Sequence, residues 1–372
     1  MKRLIYLCLQ ATKQGQASYA HVHEIIKGLR KRGWEVQLFE PTYSMSNTAP
    51  GPFVRLLAFI KVQFILLINL IKIKPDAIYI RNHFATFPTA LVAKLLRKPV
   101  VQEVNGPYED LFIAWPKTKM LAPLFKWLIR MQLKWADAVV AVTLQLGKWV
   151  QSETGQRSIQ VIPNGANSEI FQPQAQLKYD LPKPYVVFFG TFARWQGIDT
   201  LIKAVYSPHW PSDVNMVIVG DGAEREAVEK AALDNTKITY LRPVPYLDIA
   251  GIVANSLGGL SPQNNERGRS STGLFPLKLF ETMACGVPVI VTDFPGQADL
   301  VRQYNCGLVI PHDNPDALAK AVATIYANPT MRSDMGARGR RAIEEEHSWD
   351  CRAAKTDDLL RQILASKRGK RE

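Results

Sequence analysis

The sequence predicts an α/β protein made of two Rossmann-like domains facing a central cleft. Apolar, β-branched runs of strand length alternate with helix-length amphipathic segments along nearly the whole chain, a pattern typical of parallel sheets covered by helices. The strand–loop–helix theme that opens at Leu4 starts again at Tyr185. At 372 residues the chain is long enough to form two separate hydrophobic cores of ordinary size.

The composition is that of a globular protein, with 47% hydrophobic and 21% charged residues. The four cysteines are widely spaced and form no CxxC pair, which argues against a disulfide framework or a zinc site. We therefore expect a cytoplasmic protein without metal or cofactor. The apolar run Leu4–Leu9 is short and continues into polar sequence, so no signal peptide is expected.

The positive charge is concentrated in the first half of the chain. The net charge is +13; residues 1–180 hold 23 basic and 11 acidic side chains, whereas residues 181–372 hold 23 and 22. Such a basic half can bind nucleic acid, an anionic membrane surface or an acidic ligand. Because no helix-turn-helix, RRM or zinc-finger pattern is present, we expect no nucleic-acid partner.

The first domain opens with a strand at Leu4–Leu9, a loop that contains Gly15, and a helix from about Ser18 to Arg32. Further along, Phe53–Ile73 is strongly apolar, and its longest uncharged run is Val62–Ile71. That run is shorter than the roughly 20 residues that span a bilayer. The segment is predicted to be either a long buried helix or a helix that lies at a membrane surface.

A basic stripe is predicted on the helix from Leu121 to Trp135, where Lys126, Arg130 and Lys134 recur every four residues. One interpretation is an ordinary surface helix whose apolar side packs on the core. The other is docking of the three cations onto anionic lipid headgroups, which would make the protein peripheral on the inner face of the cell membrane.

In the second domain, the stretch from Gly273 to Gly286 is the most informative. It predicts a loop, a helix with Pro276 in its first turn and Gly286 just past its end, and then a buried strand at Val287–Val291. Lys278 and Glu281 interrupt the apolar face three residues apart. They could form a solvated ion pair. They could also form a ligand site, because a helix start attracts phosphate, and Lys278 would add a cation while Glu281 accepts hydrogen bonds from sugar hydroxyls.

Two segments carry a resemblance to a known family. Glu281–Ile290 reads ETMACGVPVI, and the stretch from Ala136 to Pro173 contains Val-Ile-Pro-Asn-Gly-Ala-Asn. Both resemble the GT-B glycosyltransferases of the retaining family four. The resemblance implies an NDP-sugar donor on the second domain and a lipid-linked or glycan acceptor on the first. It places the acceptor-binding domain at 1–172, the donor-binding domain at 173–345, and at 346–372 a helix crossing back to the first domain with a charged tail.

The resemblance also assigns donor-binding residues. Glu281 would hold the ribose. The family's diphosphate-binding Arg and Lys fall here on Thr191 and Gln196, and we expect Arg194 and Lys278 to supply the two missing charges close to the diphosphate. The family's first glutamate, which is tied to the transferred sugar, is here Gly273. The remaining donor-binding residues implied are Gly15, Gly190, Val244 and Leu277, and Asn105 of the Glu-Val-Asn segment would contact the donor sugar.

Three functions are compatible with these residues. The first is an NDP-sugar-dependent retaining glycosyltransferase in cell-surface polysaccharide or glycolipid synthesis, with Arg194, Lys278 and Asn105 as its catalytic residues. The second is a non-catalytic nucleotide- or glycan-binding subunit, which the residues Gly273, Thr191 and Gln196 would suit. A sugar-nucleotide epimerase of the same fold is the weakest, because it needs a pair of acid/base residues that the sequence does not display. In this family the base is held largely by backbone groups, so the residues do not select the donor nucleotide.

Overall fold

The computed structural model describes residues 1–10, 12, 17–41, 50–266 and 271–368. Within it the chain forms two compact units. The first unit comprises Met1–Pro163 together with Trp349–Glu372, and the second comprises Asn164–Ser348. The sequence-based boundary at Gln172 lies a short distance beyond the boundary between the units.

The first unit contains a six-stranded parallel sheet in the order β2-β1-β3-β4-β5-β6. Its inner strands are buried on both sides, as expected for a sheet covered by helices on both faces, whereas the edge strand Trp34–Phe39 alternates between buried and exposed residues. The strands are β1 (Lys2–Leu7), β2 (Trp34–Phe39), β3 (Ala77–Arg81), β4 (Val100–Val104), β5 (Ala138–Ala141) and β6 (Ile159–Val161). The helices are α1 (Ala17–Lys31), α2 (Pro52–Ile73), α3 (Phe87–Leu95), α4 (Glu109–Ala114), α5 (Ala122–Trp135), α6 (Leu144–Thr154) and, from the end of the chain, α14 (Trp349–Arg368).

Helix α14 packs closely against α1 in this unit. Gly28 of α1 faces Ala353 of α14, and a methyl group at Gly28 would lie 2.3 Å from the Ala353 Cβ. Any side chain at this position would force the two helices apart, so glycine permits their contact.

Helix α2 lies on the surface of the first unit. Only four of its 22 residues are buried, Val62, Gln63, Leu66 and Leu70. The expectation of a long buried helix is therefore wrong, because most of its apolar side chains, such as Phe53 and Ile71, are exposed to solvent. Among the described residues, α2 is the single helix that is both long enough and apolar enough to cross a membrane, judged by length and composition. Core helices of soluble proteins can pass the same test.

The second unit contains another six-stranded parallel sheet, in the order β12-β11-β10-β7-β8-β9. The direction of winding reverses between β7 and β10, and in such sheets ligands bind outside the carboxyl ends of the strands at that point. The strands are β7 (Tyr185–Thr191), β8 (Asn215–Asp221), β9 (Ile238–Leu241), β10 (Gly259–Ser261), β11 (Val289–Thr292) and β12 (Gly307–Ile310). The helices are α7 (Ile198–Val205), α8 (Arg225–Asp234), α9 (Tyr246–Ala254), α10 (Leu277–Ala284), α11 (Gln297–Tyr304), α12 (Pro315–Ala327) and α13 (Pro329–Ala342).

Successive residues of β7 divide between two hydrophobic cores. Val187 and Phe189 pack on the side that contains Phe280 and Met283 of α10. Val186 and Phe188 pack on the opposite side, with residues of α7 and α12. The sheet is thus buried on both faces, which explains its uniformly apolar strands.

The predicted loop–helix–strand stretch is confirmed in the structure. Helix α10 begins at Leu277, one residue after Pro276, which has an extended backbone and serves as its N-cap. Gly286 follows the helix with φ +68°, a left-handed conformation that suits glycine at this position. The apolar face of α10 is buried against the sheet, so the helix start is fixed close to the carboxyl ends of β7 and β10.

Candidate functional site

The candidate site lies in the second unit, at the carboxyl end of β7. There the chain passes through Gly190 and Thr191 into a short 3-10 turn at Arg194–Gln196 and then into α7. Gly197, which ends the turn, has φ +74°, and a methyl group there would lie 1.8 Å from the carbonyl oxygen of Pro262. The turn is therefore in close contact with the segment that follows β10, at the reversal point of the sheet.

Lys278 extends from the first turn of α10 into this region. Its Nζ donates a hydrogen bond to Gln196 Oε1 at 2.9 Å and lies 3.6 Å from the centre of the Phe188 ring. A methyl group on Gly190 would lie 3.5 Å from the same Nζ. The side chain is buried, and this burial lowers the pKa of Lys278 to about 7, against a smaller opposing effect of Glu281. The site thus holds a lysine whose charged form lacks the stabilisation of bulk water.

Glu281 lies one turn further along α10 and is also buried. The hydroxyl of Tyr246 donates a hydrogen bond to Glu281 Oε1 at 2.7 Å. Burial raises the pKa of Glu281 to about 7, while the hydrogen bond from Tyr246 and the charge of Lys278 act in the opposite direction. Lys278 and Glu281 are 8% and 5% exposed and contact different partners, so the interpretation as a solvated ion pair is wrong.

The segment before α10 is held by two backbone contacts. Leu274 forms a parallel bridge with Gly296, and its N–H donates to the Pro295 carbonyl at 2.8 Å. Asn164 of the Asn-Gly turn donates from Nδ2 to the Phe275 carbonyl at 2.8 Å. Together these contacts fix the direction from which the chain enters α10, and hence the position of Lys278.

The other predicted residues of the second unit are distributed around this site. Gly190, Gln196 and Lys278 are in contact. Arg194 is exposed in the same turn as Gln196, and its carbonyl accepts a hydrogen bond from Asn264 at 2.8 Å.

Gly273 has φ +84°, a conformation that favours glycine over a glutamate at this position. Thr191 is exposed at the end of β7, Val244 is half-buried before α9, and Leu277 is buried as the first residue of α10.

Gly15, predicted to approach the donor phosphates, lies outside the described residues, as do the loop residues Arg267 and Arg269. Within the described ranges no group of three or more His, Cys, Asp or Glu side chains could hold a metal ion.

In the first unit, Asn105 is attached to a buried network centred on Glu103. The Asn105 amide donates to Glu103 Oε1 at 2.7 Å, and His21 Nε2 contacts the same oxygen at 2.6 Å. The hydroxyl of Tyr79 donates to Oε2 at 2.6 Å, and the guanidinium of Arg352 from α14 donates to it at 3.2 Å. The amide of Asn105 is thereby held in one orientation at the end of β4.

The charge of Glu103 is maintained by these partners. Burial alone would raise the pKa of the carboxyl, but His21, Arg352 and Arg81 together hold the pKa of Glu103 well below its usual range. Burial lowers the pKa of His21 to about 4, against the opposing effect of the Glu103 carboxylate.

Several of these residues have no sequence signal. Tyr246, Phe188, His21 and Arg352 belong to no motif, and each reaches its partner from a distant part of the chain. Arg352, for example, lies 249 residues from Glu103. Asn164 is different, because it lies in the Val-Ile-Pro-Asn-Gly-Ala-Asn segment that carries the family resemblance, although the resemblance does not predict its contact with Phe275.

Two cations of the predicted basic stripe form ion pairs within the first unit. Lys126 Nζ lies 3.7 Å from Glu109, and Arg130 lies 2.5 Å from Glu153. Lys134 is exposed. The stripe on α5 is therefore partly neutralised by carboxylates of the same unit.

Two family models match this chain, and the boundary between them lies close to the boundary between the two units. Residues 20–170 match the family model glycosyltransferase family 4, and residues 171–342 match the family model glycosyl transferases group 1. The chain belongs to the group 1 glycosyltransferases. Its fold is GT-B, with one Rossmann-like sheet in each unit.

Relatives of this group 1 glycosyltransferase include an α-maltose-1-phosphate synthase of Mycolicibacterium smegmatis, 26% identical over 64% of this chain and 66% of that protein, just under two thirds of its length. A GDP-mannose-dependent α-(1-6)-phosphatidylinositol monomannoside mannosyltransferase of Mycobacterium tuberculosis is 27% identical over 74% of each chain. Among solved structures, sucrose-phosphate synthase from Thermosynechococcus elongatus is similar, with a TM-score of 0.79, 20% identity, and coverage of 98% of this chain and 100% of that chain.

Proposed function

We propose that this protein is a retaining glycosyltransferase that moves a sugar from an NDP-sugar to a hydroxyl acceptor in cell-surface polysaccharide or glycolipid synthesis. The observation that carries the proposal is the buried ammonium of Lys278 beside Gly190, at the reversal point of the second sheet. A desolvated lysine beside the start of a helix suits the diphosphate of a sugar nucleotide, because both the cation and the unpaired amides of the first helical turn favour phosphate.

In this proposal the residues of the site have separate roles. Lys278, assisted by the exposed Arg194, stabilises the negative charge that develops on the leaving diphosphate as the bond to the sugar breaks. The carboxylate of Glu281, oriented by Tyr246, accepts hydrogen bonds from the ribose hydroxyls. For Asn105, contact with the donor sugar stays a prediction from the family resemblance. The acceptor hydroxyl attacks from the face that the diphosphate leaves, so the configuration of the sugar is retained.

The acceptor is proposed to be a lipid-linked or glycan hydroxyl at the cytoplasmic face of the membrane. Two observations support this. The first half of the chain carries most of the net positive charge, and a relative is named for the mannosylation of a phosphatidylinositol glycolipid. Lys126, Arg130 and Lys134 would contact anionic lipid in this proposal. Because two of them are paired to carboxylates, we expect their contribution to be modest.

A non-catalytic subunit is the second candidate, and it is favoured by Gly273 and by the neutral Gln196. Such a protein would bind a nucleotide sugar without turnover. Incubation of the purified protein with the nucleotide sugar that it binds distinguishes the two functions, through release of nucleoside diphosphate in the presence of glycolipid extracts.

The donor site is tested by nucleotide binding to wild type and Glu281→Gln. We expect one of UDP, GDP or ADP to raise the melting temperature and to bind in calorimetry. Glu281→Gln should weaken that binding by roughly 10- to 100-fold, because hydrogen bonds to a charged acceptor contribute about 1.5–3 kcal/mol. The 2′-deoxy nucleotide should bind wild type and Glu281→Gln with more similar affinity, because it lacks one of the hydroxyls that would donate a hydrogen bond to Glu281.

The matched control is Glu226→Gln, which makes the same change at an exposed position of α8. It should bind like wild type. Binding that is unaffected by Glu281→Gln would remove Glu281 from the ribose site, and absence of binding by all three nucleotides would contradict a donor site in the second unit.

Binding of a nucleotide sugar should depend on pH with a maximum near pH 7. Burial lowers the pKa of Lys278 to about 7, so above this pH the free protein must take up a proton to bind the diphosphate, and affinity should fall by up to tenfold per pH unit. Burial raises the pKa of Glu281 to about 7, so below this pH the carboxylate that accepts the ribose hydroxyls is lost. A nucleotide sugar is the appropriate probe because its diphosphate keeps its charge over this range.

Lys278→Arg is the matched variant for the predicted fall in affinity above pH 7, since arginine stays protonated there. It should show a flat affinity from pH 7 to pH 9 in isothermal titration calorimetry, and the proton uptake seen for wild type in two buffers of different ionisation enthalpy should disappear. Equal alkaline slopes in the two proteins would contradict the contact between Lys278 and the diphosphate.

A further inference from the structure

Helix α2 is apolar on two opposite faces. One face, formed by Val62, Leu66 and Leu70, packs into the core of the first unit. The other face is exposed. It forms a continuous stripe at spacings of three and four residues over the whole helix, and consists of Phe53, Leu57, Ile60, Phe64, Ile68 and Ile71. The ends and the middle of this stripe are strongly exposed, with Phe53 at 70%, Phe64 at 64% and Ile71 at 73%.

A second exposed apolar group adjoins the start of α2. It lies on the segment from Trp115 to Trp127, where Trp115, Met120, Leu121, Leu124 and Trp127 are exposed. The guanidinium of Arg55 in α2 stacks over the ring of Trp115, with 4.9 Å to the ring centre. This contact makes the two apolar groups parts of one surface of the first unit.

Both segments of this surface are basic in sequence, with Lys126 paired to Glu109 at the edge. Residues 52–75 contain four basic and no acidic residues, and residues 111–136 contain five basic and no acidic residues. Lys61 and Lys72 are exposed three helical turns apart, on one flank of the α2 stripe. Long basic side chains on the flank of an apolar stripe, together with exposed tryptophans, are typical of helices that lie in the interface of an anionic membrane.

We propose that the exposed stripe of α2 and the apolar segment Trp115–Trp127 form a lipid-docking surface that seats the first unit on an anionic bilayer. Apolar side chains enter the boundary between headgroups and acyl chains, while the basic residues on the flanks contact the lipid phosphates. The inference goes beyond the proposed function, because docking is measured without donor or acceptor. It differs from the basic stripe of α5 in that the apolar stripe of α2 carries most of the contact.

The helix lies along the membrane and does not cross it. Its inner face is attached to the folded unit, since Gln63 donates from Nε2 to the Ala85 carbonyl at 2.9 Å and accepts a hydrogen bond from Thr89. Arg55, Lys61 and Lys72 are distributed over its length. A helix that keeps one face in a protein core over its central turns remains parallel to the surface of that core, so only its outer stripe reaches lipid.

An anionic bilayer fits this surface better than a protein. A partner protein would have to present an apolar face about 33 Å long, the length of 22 helical residues, edged only by acidic groups. A second copy of this chain would bring the same basic flanks together, with repulsion between like charges. A membrane rich in anionic lipid provides both the apolar interior and the negative border.

The test is sedimentation of the full chain with vesicles. Wild type should bind vesicles of phosphatidylcholine that contain about one third phosphatidylglycerol, because anionic lipid attracts basic segments with about 1 kcal/mol per Lys or Arg. It should bind pure phosphatidylcholine vesicles at least tenfold more weakly. Ile60→Glu/Phe64→Glu should lower the partition coefficient on anionic vesicles at least tenfold. Both positions are exposed, and circular dichroism and nucleotide binding should be unchanged.

The control is Tyr206→Glu/Leu233→Glu, which introduces the same charges at exposed apolar positions of the second unit and should bind vesicles like wild type. Equal loss in the control would show a net-charge effect and overturn the proposal. It would also be overturned by absence of vesicle binding in wild type, by unchanged binding of Ile60→Glu/Phe64→Glu, or by light scattering that shows a wild-type dimer which this variant converts to a monomer.

Discussion

Replacement of Lys278 by methionine is expected to lower kcat/KM for glycosyl transfer by roughly 10²- to 10³-fold. This is the effect of removing one preorganised group that stabilises charge developing in a transition state, about 2.7–4 kcal/mol. Methionine keeps the length and apolar character of the side chain, including its contact with the Phe188 ring, but removes the ammonium that lies beside Gly190. The rate is measured as release of nucleoside diphosphate with donor and acceptor both present.

Lys203→Met is the matched control. Lys203 is an exposed lysine of α7 that pairs with Asp199 at 2.8 Å, so its replacement removes a charge of the same sign from the same unit. It should change kcat/KM by less than about fivefold, the factor that corresponds to the limit of about 1 kcal/mol for an exposed pair. A comparable loss in both variants would attribute the effect to net charge, and retention of wild-type activity by Lys278→Met would exclude the proposed role of the lysine.

The largest effect on stability is expected from Arg352→Met, at about 3–5 kcal/mol of unfolding free energy for the first unit. Arg352 is 2% exposed, and its guanidinium donates to Glu103 and to the carbonyls of Ile162 and Pro163. Its removal leaves a buried carboxylate with fewer partners, which costs more than the ion pair itself contributes. Hydrogen–deuterium exchange of peptides from β4 reports this loss locally, without a requirement for two-state unfolding of the whole chain.

Two comparisons identify the cause of this loss. Lys31→Met removes an exposed cation of the same unit, paired with the exposed Asp350 of α14 at 3.5 Å, and should cost less than about 1 kcal/mol. Glu103→Gln combined with Arg352→Met should recover part of the loss, since the uncompensated charge is gone.

The loss of stability in Arg352→Met should depend on pH, in a direction set by the titration of Glu103. In wild type the pKa of Glu103 is held well below its usual range, so its contribution to stability is present at neutral pH and is lost as the pH falls through the folded-state pKa. Without Arg352 the pKa of Glu103 rises, and protonation relieves the buried charge. The difference between Arg352→Met and wild type should therefore shrink as the pH falls from 7 to about 4, through the ordinary titration range of a glutamate carboxyl. A constant difference would indicate lost packing as its cause.

The elements that bear the candidate site could be predicted because their signals are local. The limits of α10 follow from Pro276 and Gly286, and the next strand follows from a short β-branched run. The alternation of strands and helices was sufficient to predict two Rossmann-like domains, and the strand orders agree.

The partners of the polar groups could not be predicted in this way. The sequence placed Lys278 as a replacement for a cation missing at Gln196, but the direct hydrogen bond between them joins residues 82 positions apart. Likewise, the choice between ion pair and ligand site for Lys278 and Glu281 depended on burial, which the i,i+3 spacing does not determine. Contacts of this kind are set by strand order and helix packing, and no local pattern encodes them.

For helix α2, the sequence also did not determine which side chains are buried. A strongly apolar segment with few charges is compatible with a long buried helix or with a helix that lies at a membrane surface. The sequence left these alternatives open, and the side-chain exposure along the helix separates them.

The assignment of α14 to the first unit has a consequence for biosynthesis. Residues Asn164–Ser348 are contiguous, so all strands of the second sheet have been translated before the ribosome reaches Trp349. The first unit, by contrast, is discontinuous in the chain, and until α14 is made, Glu103 has no arginine from that helix and Gly28 has no helix to contact. The half of the protein that is translated first is therefore the half that completes its folding last, and its nascent form is the one that needs protection from aggregation.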